Sequence, residues 1–282
     1  MNCEANVAKS ILITGCSSGI GYASARMLKD RGWRVFATAR NDADLARLSA
    51  DGLEALYLDY LDRASIRACA AEVARRTGGK LDALFNNGTY GQPGAVEDLP
   101  TEALEAQFQS GFFGWHELTR LCLPLMRMNG GGRLVQCSSV LGLVAMKWRG
   151  AYNAMKFAIE GLSDTMRLEL APHNIQVILI EPGPIATRFV EHALKAFEQN
   201  IDRENSPHRE AYVRQSARLG KGGSSRFKLP AEAVAAKLVA ALESRKPKKR
   251  YYVTTPTYIM AFCKRFLPPF LLDHVVDKAS DQ

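Results

Sequence analysis

Ser10-Ile11-Leu12-Ile13-Thr14 is a short β-rich apolar run, and Gly15-Cys16-Ser17-Ser18-Gly19-Ile20-Gly21 follows it at once. Tyr22 to Arg31 then places apolar residues at Ala25, Met27 and Leu28 and closes on Gly32, the pattern of a helix. Few folds accommodate a strand that turns on glycines straight into a helix. Glycines let the backbone approach a pyrophosphate, whose charge then faces the helix N-terminus. The spacing is GxxxGxG rather than the usual GxGxxG, so the position between strand and helix carries the reading.

The chain repeats this alternation. Further strands are predicted over Trp33–Ala39, Leu53–Leu58, Leu81–Phe85, Arg133–Cys137, Ile175–Ile180 and Arg250–Thr254, the last at the sheet edge. Helices are predicted over Asp42–Ala50, Arg63–Thr77, Thr101–Met128 (one or two), the Tyr152 region to Pro172, and Ala231–Ser244. Strand and helix in alternation imply an α/β fold, a doubly wound parallel sheet of Rossmann-like type. With 282 residues, 47% hydrophobic, and no dividing Pro/Gly/Ser linker or repeat, a single domain is expected.

Arg40 ends the second strand about twenty residues after the last glycine. An acidic residue there would accept from an adenosine ribose 2′-OH. A guanidinium suits a 2′-phosphate instead, so NADP(H) is the expected cofactor, with Ser18 and Arg40 on that phosphate. An ordinary surface arginine is the alternative. Asp59 ends the third strand and either accepts from an adenine amino group or caps the next helix. Asn86-Asn87-Gly88 ends the fourth strand, at the carboxyl edge where open α/β sheets bind ligands, although Asn-Gly is also a plain turn.

Tyr152 and Lys156 lie four residues apart, on one face if the stretch is helical. A cation about 4 Å from a phenolate interacts by roughly 4 kcal/mol at an effective dielectric of ~20. That lowers a phenol from near ~10 by about three units, toward the range of a general acid-base. The same pair also arises on solvated helices.

Lys and Arg exceed Asp and Glu by 37 to 29, a net charge of +8. The densest cluster, Arg245, Lys246, Lys248, Lys249 and Arg250, has no interleaved aromatics and reads as a solvated helix exit rather than a nucleic-acid patch. Six scattered cysteines, Cys3 included, show no metal-ligand or disulfide spacing. The first ten residues lack the apolar core of a signal peptide, and no run of ~18 apolar residues occurs. A reducing cytoplasm is the expected location.

Taken together, Thr14-Gly15-xxx-Gly19-x-Gly21, Asp59, Asn86-Asn87-Gly88, Ser139, Tyr152-xxx-Lys156 and Pro182-Gly183-xxx-Thr187 resemble the short-chain dehydrogenase/reductase family in order and spacing, over roughly residues 9 to 190. The wording is most similar to the branch of retinol dehydrogenases, 17-beta-hydroxysteroid dehydrogenases and bacterial aldehyde reductases. The resemblance implies an oxidoreductase moving hydride between NADP(H) and an apolar alcohol or carbonyl. Tyr152 is then the general acid-base, Lys156 tunes it and holds the nicotinamide ribose, and Ser139 polarises the substrate oxygen. Gly15, Gly19, Ile20 and Gly21 face the pyrophosphate, Asp59 the adenine, Asn87 and Gly88 the adenosine ribose region, and Thr187 the carboxamide. Ser17, Pro182 and Gly183 complete the cofactor set. A homodimer or homotetramer is implied by the resemblance alone. Two departures stand out. Gly88-Thr89 replaces the family's Ala-Gly, and Gly111 stands where the family has an asparagine supporting a water relay to the lysine. The second leaves open a catalytically impaired scaffold or redox sensor.

Residues 188–229 are expected to form a helical substrate lid, with flexible points at Ser206-Pro207 and Gly222-Gly223-Ser224-Ser225. Tyr90, Val144, Met146, Trp148, Phe189 and Phe197 are candidates for an apolar substrate wall or for plain core. The segment 257–282 is apolar but interrupted by Lys264, Arg265, Pro268, Pro269 and Asp273. It reads as an interfacial helix contacting membranes, or as packing on the domain or on a second subunit.

Overall fold

A computed structural model describes residues 8–220 and 227–280. The strands are β1 (Ser10–Ile13), β2 (Arg34–Ala39), β3 (Glu54–Tyr57), β4 (Ala83–Asn86), β5 (Gly132–Cys137), β6 (Ile175–Glu181), β7 (Ile185–Ala186), β8 (Leu229–Pro230) and β9 (Arg250–Tyr252). The helices are α1 (Gly19–Asp30), α2 (Asp42–Ala50), α3 (Arg63–Thr77), α4 (Thr101–Phe108), α5 (Gly114–Met128), α6 (Gly150–Glu169), α7 (Phe189–Asn200), α8 (Arg209–Gly220), α9 (Glu232–Glu243), α10 (Thr255–Phe266) and α11 (Pro269–Ser280).

Seven strands form one parallel sheet in the order β3-β2-β1-β4-β5-β6-β9. All four residues of β1 and of β4 are buried, because helices cover both faces of a parallel sheet and leave no side for polar residues. On one face α1 packs on α9, and on the other α3 packs on α5. The chain order reverses between β1 and β4, which opens a crevice at their carboxyl ends.

Several sequence expectations are corrected. The first helix begins at Gly19, not Tyr22, so it takes in Gly21 and opens on Gly19, whose φ is +57°. The stretch Thr101–Met128 is two helices joined by a π-helical turn, Gln109–Phe113, which contains Gly111. Arg250 does not belong to a solvated exit. Its guanidinium bridges Glu160, Glu181 (2.7 Å) and Asp164 (2.8 Å), tying β9 to β6 and α6, while Arg245, Lys246, Lys248 and Lys249 are exposed. The C-terminal segment is two helices. Met260 and Val276 are buried against Val140, Leu141 and Val144, so Val144 is core and not cavity wall. Among the described residues no helix is long and apolar enough to cross a membrane.

Candidate active site

The crevice holds a cavity of about 800 Å³ that runs from the glycine turn to Tyr152. Thr14 builds its floor. The Thr14 hydroxyl accepts from the backbone N–H of Asn87 at 2.9 Å and of Gly88 at 3.1 Å, which clamps the end of β1 to the end of β4. The Asn87 amide donates to the Thr14 carbonyl at 3.0 Å. Asn86 turns inward, accepting from the Tyr60 hydroxyl at 3.2 Å and donating to Thr119 at 3.0 Å, so it braces the strand rather than the cavity. Gly15 has φ +71°, and a Cβ there would lie 2.5 Å from the Gly88 Cα. Only glycine allows both the conformation and the approach.

Gly15, Ser17, Ser18, Gly19, Ile20, Arg40, Asp59, Asn87, Gly88, Pro182, Gly183 and Thr187 line the cavity, as do Ser139, Tyr152 and Lys156. Gly21 is the exception. A Cβ there would lie 2.2 Å from the Gly15 carbonyl oxygen, so it packs beneath the turn instead of facing a ligand. Asp59 does not cap α3, because Asp62 does so by accepting from the Ala64 N–H; Asp59 accepts from the Leu61 N–H at 3.0 Å. Arg47 was not singled out by the sequence, yet it donates to the Ser17 carbonyl at 2.6 Å and pairs with Asp44 at 2.9 Å, bracing the glycine turn from α2.

At the inner end, Ser139 heads the turn Val140–Gly142, its hydroxyl accepting from the Leu141 N–H at 3.1 Å. Lys156 is fully buried and donates to the Cys137 carbonyl at 2.6 Å. Its ammonium sits 4.7 Å from the Trp115 ring centre and 5.4 Å from that of Tyr152. Burial lowers Lys156 to about 8, partly offset by Cys137 and Glu160. Burial also pushes the Tyr152 phenol well above its ordinary value, with Cys137 adding to the rise and a hydrogen bond with Ser139 opposing it. The expectation of an acidified phenol is therefore overturned. The ammonium directs its short hydrogen bond to the Cys137 carbonyl, and enclosure of the phenol dominates its titration. Tyr152 stands as a neutral O–H donor at pH 7.

The outer wall of the cavity is apolar. Tyr90, Met146, Trp148, Phe189 and Phe197 line it as expected, with the Phe189 ring edge-on to Tyr152 at 5.4 Å. Pro256, Ile259, Met260 and Ala279 join from α10 and α11, which the sequence did not reveal. Ser206 is tied to the turn Val96–Asp98. Its hydroxyl donates to Asp98 at 2.6 Å, and the Tyr212 hydroxyl donates to the same carboxylate. The Gly222–Ser225 point lies outside the described residues.

These residues fit a dinucleotide. Ser18 precedes α1 without a side-chain cap bond, and Gly19 and Ile20 open the helix N-terminus onto the cavity. Fold and crevice together define a dinucleotide-binding oxidoreductase. Residues 9–197 match the short chain dehydrogenase model, and the chain belongs to that family. It is 40% identical over 268 residues to an uncharacterized oxidoreductase, YbbO, of Escherichia coli, covering 95% of this chain and 94% of that one. It is 32% identical over 273 residues to human 17-beta-hydroxysteroid dehydrogenase type 1, covering 92% and 78%. A short chain dehydrogenase from Burkholderia phymatum, crystallised in complex with NAD, superposes with a TM-score of 0.74 at 27% identity and covers 92% of each chain. A Burkholderia cenocepacia structure in complex with NADP shares the fold, with a TM-score of 0.73 at 22% identity over 95% and 97%. A nicotinamide cofactor is thus supported for this chain.

Proposed function

We propose that the protein is an NADP(H)-dependent reductase or dehydrogenase for an apolar carbonyl or alcohol of aldehyde, retinoid or steroid type. The observation that carries this reading is the convergence of Ser139, Tyr152 and Lys156 on one end of a cavity whose other end is the glycine turn. Bound NADPH supplies the hydride. The substrate oxygen accepts from Ser139 and Tyr152, and Tyr152 gives up its proton as the alcohol forms. Burial raises the phenol pKa, so Tyr152 holds its proton at pH 7 until the substrate oxygen takes it. Lys156, charged below pH about 8, holds ribose hydroxyls and stabilises the phenolate left behind. Trp148, Phe189 and Phe197, with Met260 of α10, exclude water and accept an apolar body. The human relative acts, by its name, on a hydroxysteroid, which agrees with such a wall.

The preference for NADP(H) rests on Arg40, exposed in the wall of the same cavity that Ser17 and Ser18 line. Measuring kcat/KM with NADPH and NADH tests it. NADPH should win, and Arg40→Asp should reverse the order; a native preference for NADH sinks the assignment. Tyr152→Phe separates an enzyme from a cofactor-holding scaffold. It should abolish oxidation of NADPH by an aldehyde while NADPH still binds, and unchanged turnover refutes the proposed role.

A further inference from the structure

One face of α10 and α11, next to the mouth of the cavity, is apolar and open. Tyr258, Ile259, Phe262 and Phe266 recur at helical spacing, and Phe270 and Leu271 extend the patch past the turn at Pro268. Phe262, Phe266 and Phe270 are 61%, 62% and 70% exposed, more than isolated surface rings need to be. The helices do not hang loose, since Met260 and Val276 anchor their other side in the core. Two cations stand among the rings. Lys264 lies 5.9 Å from the ring centre of Phe157, itself exposed, and Arg265 lies 5.8 Å from that of Phe266. The acidic residues nearby, Asp273 and Asp277, belong to α11, and Asp277 pairs with Lys147. Ile259 and Pro256 also line the cavity, so one helix serves as both patch and cavity wall.

We propose that this face docks the protein on an anionic lipid surface. The rings enter the interfacial layer, and Lys264 and Arg265 meet headgroup phosphates. A second copy of the chain is the competing occupant. A two-fold contact would press two patches of the same positive sign together, whereas a negative surface complements Lys264 and Arg265. Docking here would orient the α10 wall of the cavity toward a reservoir of apolar substrates. The proposal goes beyond the catalytic reading, and its test does not need turnover.

Sedimentation of the full chain with phosphatidylglycerol–phosphatidylcholine vesicles should pellet it at low salt. Phosphatidylcholine vesicles alone should not, and neither should the mixed vesicles at about 0.5 M salt, where charges are screened within a few ångströms. A cation near an anionic leaflet is worth about five-fold in partitioning, so Lys264→Glu with Arg265→Glu should weaken binding roughly 25-fold or more. Phe262→Ser with Phe266→Ser should abolish it, while reduction of a water-soluble aldehyde stays at the native rate. A Phe266→Trp variant should show blue-shifted emission on adding mixed vesicles, which keeps the test open if the serine pair fails to fold. No pelleting at low salt, or binding indifferent to both double variants, overturns the proposal. So does a serine pair that converts a dimer to a monomer in sedimentation velocity without loss of vesicle binding.

Discussion

The sulfur of Met155 occupies the space where a side chain at Gly111 would begin: a Cβ on Gly111 would lie 2.1 Å from it. Thr89 closes the same space at 2.7 Å, and Gln107 donates to the sulfur at 3.2 Å. The missing family asparagine is thus no vacancy. A thioether from the residue next to Lys156 has filled it. If Gly111→Asn only restored the family's water relay it would raise turnover, and the packing argues for the opposite. The single variant should cost about 1–3 kcal/mol of stability through overpacking. It should also turn over more slowly, because Met155 has to shift to admit the amide and it adjoins Lys156 on α6. Gly111→Asn with Met155→Ala should recover most of the melting temperature and exceed the single variant in kcat. A single variant as stable as the parent would show that Met155 moves freely.

Lys156 sets an alkaline limit. Its pKa is depressed to about 8 by burial, so the folded protein loses this charge well below the pH at which an unfolded lysine does. The ammonium is complete below pH about 8 and lost above it. The profile of kcat/KM for NADPH, which reports the free enzyme, should therefore fall on the alkaline side with a midpoint near 8. Lys156→Arg should remove that limb along with most of the activity. A profile flat to pH 10 would mean that the ammonium is not needed for the cofactor step.

How far the sequence was legible depends on the kind of signal. The parallel sheet was, because β1, β4 and β6 are near-continuous apolar runs that each lead into a turn with glycine, asparagine or proline. The positions of Ser139, Tyr152 and Lys156 were too, since helical spacing and motif order place them at the carboxyl edge. Their electrostatics were not. The fate of the Lys156 ammonium depends on the Cys137 carbonyl, which sequence spacing does not bring near it. Likewise Arg250 sits in a basic run, and only the sheet brings Glu160 and Glu181 under it. The contribution of α10 to the cavity escaped for the same reason: Met260 and Phe262 look alike in sequence, yet one is buried and the other is open.

Arg250 holds two carboxylates that are largely withdrawn from water. Glu160 is 8% exposed and Glu181 0%, and burial raises the pKa of both against the pull of the guanidinium. Removing one partner of a buried ion pair costs about 3–5 kcal/mol, because the charge left behind is uncompensated. Arg250→Met should lower the unfolding free energy by that order, read as a lower urea midpoint. The sign with pH is fixed. Carboxyls whose folded pKa lies above the unfolded value support the fold when protonated and cease to as pH rises through the folded value. The deficit of the variant should therefore be larger at pH 8 than at pH 5. An equal deficit at both would mean that the carboxyls find other partners.

The last prediction concerns what holds α8 in place. Trp148 has φ +63°, a conformation that costs a bulky residue about 1–3 kcal/mol. The Gly94 N–H donates to its carbonyl at 3.0 Å, and its ring meets His208 and Tyr212 edge-on at 5.1 and 5.9 Å. Tyr212 is the keystone. Its hydroxyl donates to Asp98 and accepts from the Ala95 N–H at 2.9 Å, joining α8 to the turn Val96–Asp98. A hydrogen bond to a charged group contributes about 1.5–3 kcal/mol, so losing it should open the segment ten-fold or more often. Tyr212→Phe should raise amide exchange across α8 by at least that factor and leave β1 and β4 unchanged. On the proposal that α7 and α8 form the substrate lid, KM for an apolar aldehyde should rise more than kcat changes, because an open wall leaves the substrate partly hydrated. Exchange in α8 as slow as in the parent would show that ring packing, and not the hydroxyl, keeps this segment closed.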